Sequence, residues 1–339
     1  MFTFLCYNHF MKKYEEIYKE IYEEIESGQK TIGDKIESEN YLAKKYNTTR
    51  STVRHALSIL EKNNIIIKSQ GKESVIINNT QNNKTILLIL PDLFNYIFMD
   101  IIKNIESTLR SENINLLIAC SYNSHEIESE IISNHLQNID GIIIEPTQVS
   151  SSEINKNVYN CLKSIPSITI NSKIKEIDIP YLVIEDKKSA RLLTKKIIEA
   201  KKKNILVFAK TDDYQGHMRL KGIEEELSSH NNVKCKVIKF GTFNKLSKEK
   251  ELFKEYSKGK YDCIMFYNDE CAYKFMEFHK LNTDNIFITG FDDTDLSNGK
   301  YKFLSPYHPK GKMGIEISKM MIQLLNNNKV KSKVYAAKI

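Results

Sequence analysis

Eight short apolar runs after position 84 leave the chain few ways to fold. They are TILLIL (Thr85–Leu90), INLLIAC (Ile114–Cys120), DGIIIE (Asp140–Glu145), IPSITIN (Ile165–Asn171), KKNILVFAK (Lys202–Lys210), VKCKVIKF (Val233–Phe240), YDCIMFYND (Tyr261–Asp269) and NIFITGFDD (Asn285–Asp293). Between them lie segments such as FMDIIKNIESTLRSE and EIESEIISNHLQN, whose apolar residues recur with helical spacing. Unbroken apolar strands alternating with helices predict parallel sheets covered on both faces. So many units exceed one small sheet, and they divide into two lobes. In such open sheets ligands settle beyond the carboxyl ends of the strands. Here those ends read PDLFNYIF, CSYN, EPT, INS, KTDDYQ, YND and GFDD, polar and aromatic sets suited to a sugar or a nucleoside.

The residues before position 84 follow another rule. NNTQNN (Asn78–Asn83) has no apolar side chain and predicts a linker over 78–83. Ahead of it, YEEIYKEIYEEIESG places Tyr14, Ile17, Tyr18, Ile21, Tyr22 and Ile25 on one helical face, with Gly28 as a stop. A second short helix, from about Glu39 to Tyr46, buries Leu42 and Ala43. Thr49 suits the N-cap of a third, in which Val53, Ala56, Leu57 and Leu60 fall at i, i+3, i+4 and i+7. IIIKSQGKESVII then reads as two β-runs around a glycine turn. Three helices and a hairpin within 11–77 predict a winged helix-turn-helix.

The third helix carries Arg50, Ser51, Arg54, His55 and Ser58 on its outward side. Charge changes sign just before it. Lys12 to Glu39 holds five basic and nine acidic residues, whereas Asn40 to Lys72 holds seven basic and one acidic. A positive footprint that begins with the helix suits phosphate contact, although a solvated helix face would also be charged. Arg50 and Arg54 lie one turn apart, so both can point into one major groove and donate paired hydrogen bonds to guanine. Thr49 and Thr52 suit phosphates at the positive end of the helix. Asn40 and Lys44, near the start of the second helix, suit the DNA backbone.

Other classes are disfavoured. No GxSxG elbow, P-loop or HExxH occurs, no GxGxxG follows the first run after the linker, and the eight histidines lack metal-ligand spacing. The pairs Asp212/Asp213 and Asp292/Asp293 are adjacent in loops, where neighbours rarely converge on one reacting bond. No enzymatic activity, catalytic residue, cofactor or metal is therefore expected. Six scattered cysteines without a CxxC read as free thiols of a reducing cytoplasm. No apolar stretch approaches the roughly 18 residues needed to cross a bilayer, so no membrane partner is expected. MFTFLCYNHF lacks the features of a signal peptide, and residues 1–10 are expected to be an extra segment ahead of a start at Met11.

Within this frame, GDKIESENYLAKKYNTTRSTVRHALSILEKNNIIIKSQGK resembles the DNA-binding domain of GntR-type regulators. From about Lys84 to Ile339 the chain resembles the LacI/GalR effector domain, itself like periplasmic sugar-binding proteins. The strings carrying this are NYIF, IDGIIIEPT, KTDDYQGHMRLKG, YNDE, GFDD and HPKGKMG. The pairing of a GntR reader with a LacI-type sensor is similar to the arabinose repressor (AraR) family. The resemblance implies an α+β winged helix-turn-helix N-terminal domain plus an α/β two-lobed periplasmic-binding-protein-like domain with parallel sheets, spanning 84–339. It implies a homodimeric, cytoplasmic repressor that grips a pseudo-palindromic operator DNA and is released by a small-molecule inducer, L-arabinose by these strings. Purines, amino sugars and hexoses occupy the same scaffold.

The resemblance also implies site residues. In the first lobe, Tyr96 and Phe98 are expected as walls that crowd out larger ligands, with Glu145 and Asn171 as hydroxyl partners. The second lobe supplies Asp213, Gln215, Arg219, Asn268 and Asp292, and His308 lies near the return to the first. Bland alternatives stand beside these: Asp292 suits a turn, Asn268 a helix cap, and Tyr96 a core position. Gln70 and Gly71 fall in the wing. The family pattern is broken at Glu37, where a proline is usual, and in the wing tip QGKES, which keeps only one glycine.

Overall fold

The computed structural model describes residues 12–68, 74–78, 84–93, 96–147, 156–174, 177–281, 283 and 285–339. The chain divides into two compact units, Met1–Asn83 and Lys84–Ile339.

In the first unit, helix α1 (Lys13–Glu26) buries Ile17, Ile21 and Ile25 and stops before Gly28, whose φ of +78° suits a residue without a Cβ. Helix α2 (Glu39–Lys45) starts at Ser38, whose hydroxyl accepts from the Tyr41 amide, and buries Leu42 and Ala43. Asn47, at φ +48°, turns the chain into helix α3 (Arg50–Lys62). Strands β1 (Ile66–Ile67) and β2 (Val75–Ile76) pair antiparallel. One core joins them, with Ile17, Ile36, Leu42, Val53, Leu57, Leu60, Ile66 and Ile76 fully enclosed. The hairpin tip with Gln70 and Gly71, and linker positions 79–83, lie outside the described residues.

The second unit begins with β3 (Thr85–Leu90), α4 (Tyr96–Arg110), β4 (Asn115–Cys120), α5 (His125–His135), β5 (Gly141–Ile144), α6 (Lys156–Asn160), β6 (Ser167–Ile170) and β7 (Tyr181–Ile184). It continues with α7 (Asp186–Glu199), β8 (Asn204–Lys210), α8 (Tyr214–Leu227), β9 (Lys234–Phe240), α9 (Lys245–Tyr256), β10 (Cys263–Phe266), α10 (Asp269–His279) and β11 (Phe287–Thr289). The chain then returns through α11 (Lys310–Leu325) to β12 (Lys333–Tyr335). Among the described residues two wholly parallel sheets result, ordered β12-β7-β6-β5-β3-β4 and β11-β10-β8-β9. They are the sheets of the two lobes.

Close helix packing fixes the lobes. A Cβ on Gly222 of α8 would lie 2.1 Å from the Lys187 carbonyl oxygen of α7, and one on Gly314 of α11 would lie 2.6 Å from the Ile101 carbonyl oxygen of α4. Only glycine permits these approaches. Strand β4 departs from the expected two-sided cover. It is an edge strand, and its Leu117 and Ile118 are exposed.

Candidate functional site

Two surfaces carry the chemistry, one in each unit. In the first, the Thr49 hydroxyl accepts the Thr52 amide and so caps α3, leaving Arg50, Ser51, Arg54 and His55 exposed along the helix. Asn40 and Lys44 are exposed on α2. Thr49 also bonds the hydroxyls of Ser51 and Thr52 at 2.7 and 2.9 Å. His55 meets the Tyr14 ring edge-on at 4.5 Å, so part of its outward position is spent against α1.

The sequence reasoning missed Glu39. Its carboxylate receives Arg54 Nε at 3.1 Å and Nη2 at 2.9 Å, and Arg50 Nη2 at 3.4 Å. Hydrogen bonding from Arg54 holds the Glu39 pKa below the usual carboxylate range. The two arginine side chains are still 59% and 60% exposed. A surface pair of this kind is worth about 0–1 kcal/mol, so it leaves both arginines open to exchange for another partner. Glu39 keeps both guanidinium groups gathered on one side.

The second surface is a cavity of about 520 Å³ between the lobes of the second unit. Its walls include Phe98, Glu145 and Ser172 from the first lobe and Lys210, Asp213, Gln215, Arg219, Tyr267, Asn268 and Asp292 from the second. Strand ends and helix starts put them there. Glu145 follows β5, Lys210 ends β8, and Asp213 caps α8 by accepting the Gly216 amide at 2.6 Å. Asn268 caps α10 by accepting the Cys271 amide at 2.9 Å, so the bland role and a place on the cavity wall coexist.

Arg219 is the electrostatic centre. Its Nε donates to Asp186 and its Nη2 to Asp292, both at 2.8 Å, and Nη1 donates to the Tyr267 carbonyl at 2.9 Å. The guanidinium lies 4.5 Å from the Phe291 ring centre. Burial raises Asp186 to about 6 despite the arginine beside it. Asp213 takes Lys210 Nζ at 2.8 Å and the Tyr267 hydroxyl at 2.6 Å. Burial alone would raise its pKa, but those partners and the Gly216 amide hold it below the usual aspartate value. Glu145 is the opposite case. Burial, reinforced by the charge of Asp213, pushes it to about 8, although Asn171 donates to it at 2.8 Å. The cleft thus offers several carboxyls, three cations (Lys210, Arg219 and Lys245) and aromatic faces, a set that binds hydroxyl-rich, weakly charged molecules.

Three expected residues stand elsewhere. Tyr96 is 43% exposed and not on the cavity wall. The buried stripe of α4 runs through Ile97, Phe98, Ile101 and Ile105, and the helical period turns Tyr96 to the opposite side. Phe98 does line the cleft, but a cavity of about 520 Å³ is not crowded by it alone. Asn171 is buried behind Glu145 and acts on that carboxyl rather than on the cavity. His308 is buried off the wall, and burial, with Lys310 and Arg219 nearby, keeps its pKa well below the ordinary imidazole value. Conversely, Lys210, Tyr267, Ser172 and Asn123 were missed. The first two sit at strand ends, the position that located the others. Asn123, after β4, spans the cleft mouth by donating to Thr242 Oγ1 at 2.8 Å and Asp212 Oδ2 at 3.3 Å. Among the described residues no group of three or more His, Cys, Asp or Glu could hold a metal, and no helix is long and apolar enough to cross a membrane.

Comparison with known proteins places both units. Residues 13–76 match the family of bacterial regulatory proteins of the gntR family, and residues 83–282 match periplasmic binding proteins and sugar binding domain of LacI family. A Geobacillus stearothermophilus protein named Arabinose metabolism transcriptional repressor is 30% identical, over 94% of this chain and 93% of its own length. One of the same name from Halalkalibacterium halodurans is 32% identical, over 94% and 90%. Among solved structures, a putative transcription regulator from Staphylococcus saprophyticus superposes with a TM-score of 0.66 at 19% identity, covering 75% of this chain and 95% of its own. That likeness concerns fold alone.

Proposed function

Since the chain belongs to the family of the arabinose metabolism transcriptional repressors, GntR-type DNA readers joined to LacI-type sugar-binding domains, we propose that L-arabinose is its inducer. The protein is a sugar-responsive transcription repressor and not an enzyme. The observation that carries the inducer reading is the convergence of Glu145, Asp213, Arg219 and Asp292 on one cleft beside Phe98 and Tyr267. Carboxyls and a guanidinium grip paired hydroxyls, while ring faces cover the C–H side of a sugar. Gln215 and Asn268, on the same wall, supply the remaining amides that a pentose would need.

At the other unit, Arg50 and Arg54 read bases, and Thr49, Ser51, Thr52, His55, Asn40 and Lys44 hold the backbone of operator DNA. A single helix reads only a short half-site, so specificity calls for a homodimer on a pseudo-palindrome, in the cytoplasm where the DNA is. The exposed Leu117 and Ile118 of edge strand β4, with Met99 of α4 and Ile127 of α5, support a second copy as the cover for that lobe. Sugar closes the lobes and changes how the paired readers are presented, a coupling of about 1–3 kcal/mol that acts equally in both directions.

A thermal-shift panel of pentoses, hexoses and nucleosides, followed by operator release, tests the inducer. L-arabinose should stabilise the protein and release it from DNA, and Asp292→Ala should lose both responses while still binding operator. A hexose or nucleoside that wins the panel refutes arabinose and leaves the repressor intact.

A further inference from the structure

Helix α11 begins against the local rules. Its first turn holds Lys310 and Lys312 and no acidic residue, and Pro309 supplies no side-chain cap. Cations at the positive end of a helix are unfavourable, so these lysines need another reason to be there. Lys312 is exposed. Lys310 is not spent on solvent: its ammonium donates to the Asp292 carbonyl at 2.7 Å and to the Asp293 carbonyl at 2.6 Å.

Those two residues hold a strained backbone at the cleft. Asp292 has φ +98° and Asp293 φ +47°, a left-handed pair with no glycine in it. The conformation is what turns the Asp292 carboxylate onto Arg219 at 2.8 Å. Around it, the Asp293 amide is held by Ser305 Oγ at 2.9 Å and the Thr294 amide by Asp269 Oδ2 at 2.8 Å. Lys310 takes both carbonyls of the pair.

Lys310 also belongs to the opposite wall. The first turns of α11 lie directly on α4, where a Cβ on Gly314 would fall 2.6 Å from the Ile101 carbonyl oxygen and one on Gly311 3.2 Å from Asn104 Nδ2. The start of α4 carries Ile97 and Phe98 to the cavity. One ammonium therefore ties the strained turn of the second lobe to the helix pair that supports the first.

We propose that Lys310 is a positioning residue for the inducer: it holds the left-handed Asp292–Asp293 turn in register with α4, and so sets sugar affinity without touching sugar. The proposal rests on the inducer reading above only for the choice of L-arabinose as probe. The test compares Lys310→Met, Lys310→Arg and the exposed control Lys312→Met in the full chain. Ligand-free amide exchange is read over Gly290–Ser297, and L-arabinose affinity by calorimetry. Losing two charge-assisted hydrogen bonds should speed exchange and weaken affinity by about tenfold or more in Lys310→Met. Lys310→Arg, which keeps donors to both carbonyls, should stay near the wild type, as should Lys312→Met.

Unchanged exchange in Lys310→Met overturns the proposal whatever the ligand proves to be. Faster exchange with unchanged affinity overturns it as well, because the turn would then be held but not used. If the wild type ignores L-arabinose, the inducer reading fails, and the affinity arm is run with the sugar that wins the panel. Should Lys310→Met not fold, Lys310→Gln takes its place in both arms.

Discussion

Replacing Glu145 by glutamine changes one atom in the cleft and should change how the protein answers pH. The wild-type carboxyl is buried, and burial raises it from 4.5 to about 8. Below about pH 4.5 the group is protonated in both folded and unfolded chains, and its contribution is complete. Between 4.5 and 8 the unfolded chain releases a proton that the folded chain retains, so stability falls as pH rises, by about 1.4 kcal/mol per unit. Above 8 both forms are ionised and the loss is flat. From roughly pH 5 to pH 9 the loss amounts to about 4 kcal/mol. Asp186, at about 6, and Asp269, at about 7, add losses of the same sign, so Glu145→Gln should reduce the slope without abolishing it. Calorimetric melting of the full chain at both pH values gives the double difference. Glu145→Gln should gain about 4 kcal/mol on the wild type between the acid and the alkaline scan. An equal shift at both pH values would refute the argument, since it would mean that Glu145 titrates no differently folded than unfolded.

Two other predictions come from the same geometry. Arg50→Ala and Arg54→Ala should each cost about 1–3 kcal/mol per half-site and relax base preference, whereas Lys44→Ala should weaken all sequences alike and flatten the salt slope by about 1; salt-titrated binding assays separate the two patterns. Gly222→Ala should destabilise the second unit by about 1–3 kcal/mol in denaturant titrations, because its methyl carbon would enter the Lys187 carbonyl, 2.1 Å away.

Much of the fold was legible because continuous apolar strands announce themselves. All eight runs contain strands of the two sheets, and the faces expected for α1, α2 and α3 are the buried ones. Strands β7 and β12 escaped, and for different reasons. YLVI follows a proline with little contrast to the segment before it, and KVY is three residues, mostly exposed, that pair only because β7 is already in place. Tertiary context makes such strands, not local pattern. The edge position of β4 was equally hidden, since INLLIAC has the composition of a covered strand and strand order is a property of the whole sheet.

At the cleft, residue type at a strand end located Glu145, Asp213 and Asp292, but which way a side chain turns depends on phase. Tyr96 and Phe98 are two positions apart in one string, and the helix sends them to opposite sides. Partners within the site were less visible still, because nothing local links Arg219 to Asp186 or Glu39 to Arg54. A further mark of the site emerges only in the structure: residues that contradict their own local structure. Lys310 opens a helix that would favour an acid, Asp292 adopts a backbone that would favour glycine, and Glu145 is a carboxyl almost wholly buried in the cleft wall. Each is unfavourable alone, and strain of that kind persists only where the surroundings over-determine it. That all three meet around one cleft argues that the cleft is what the conflicts are kept for.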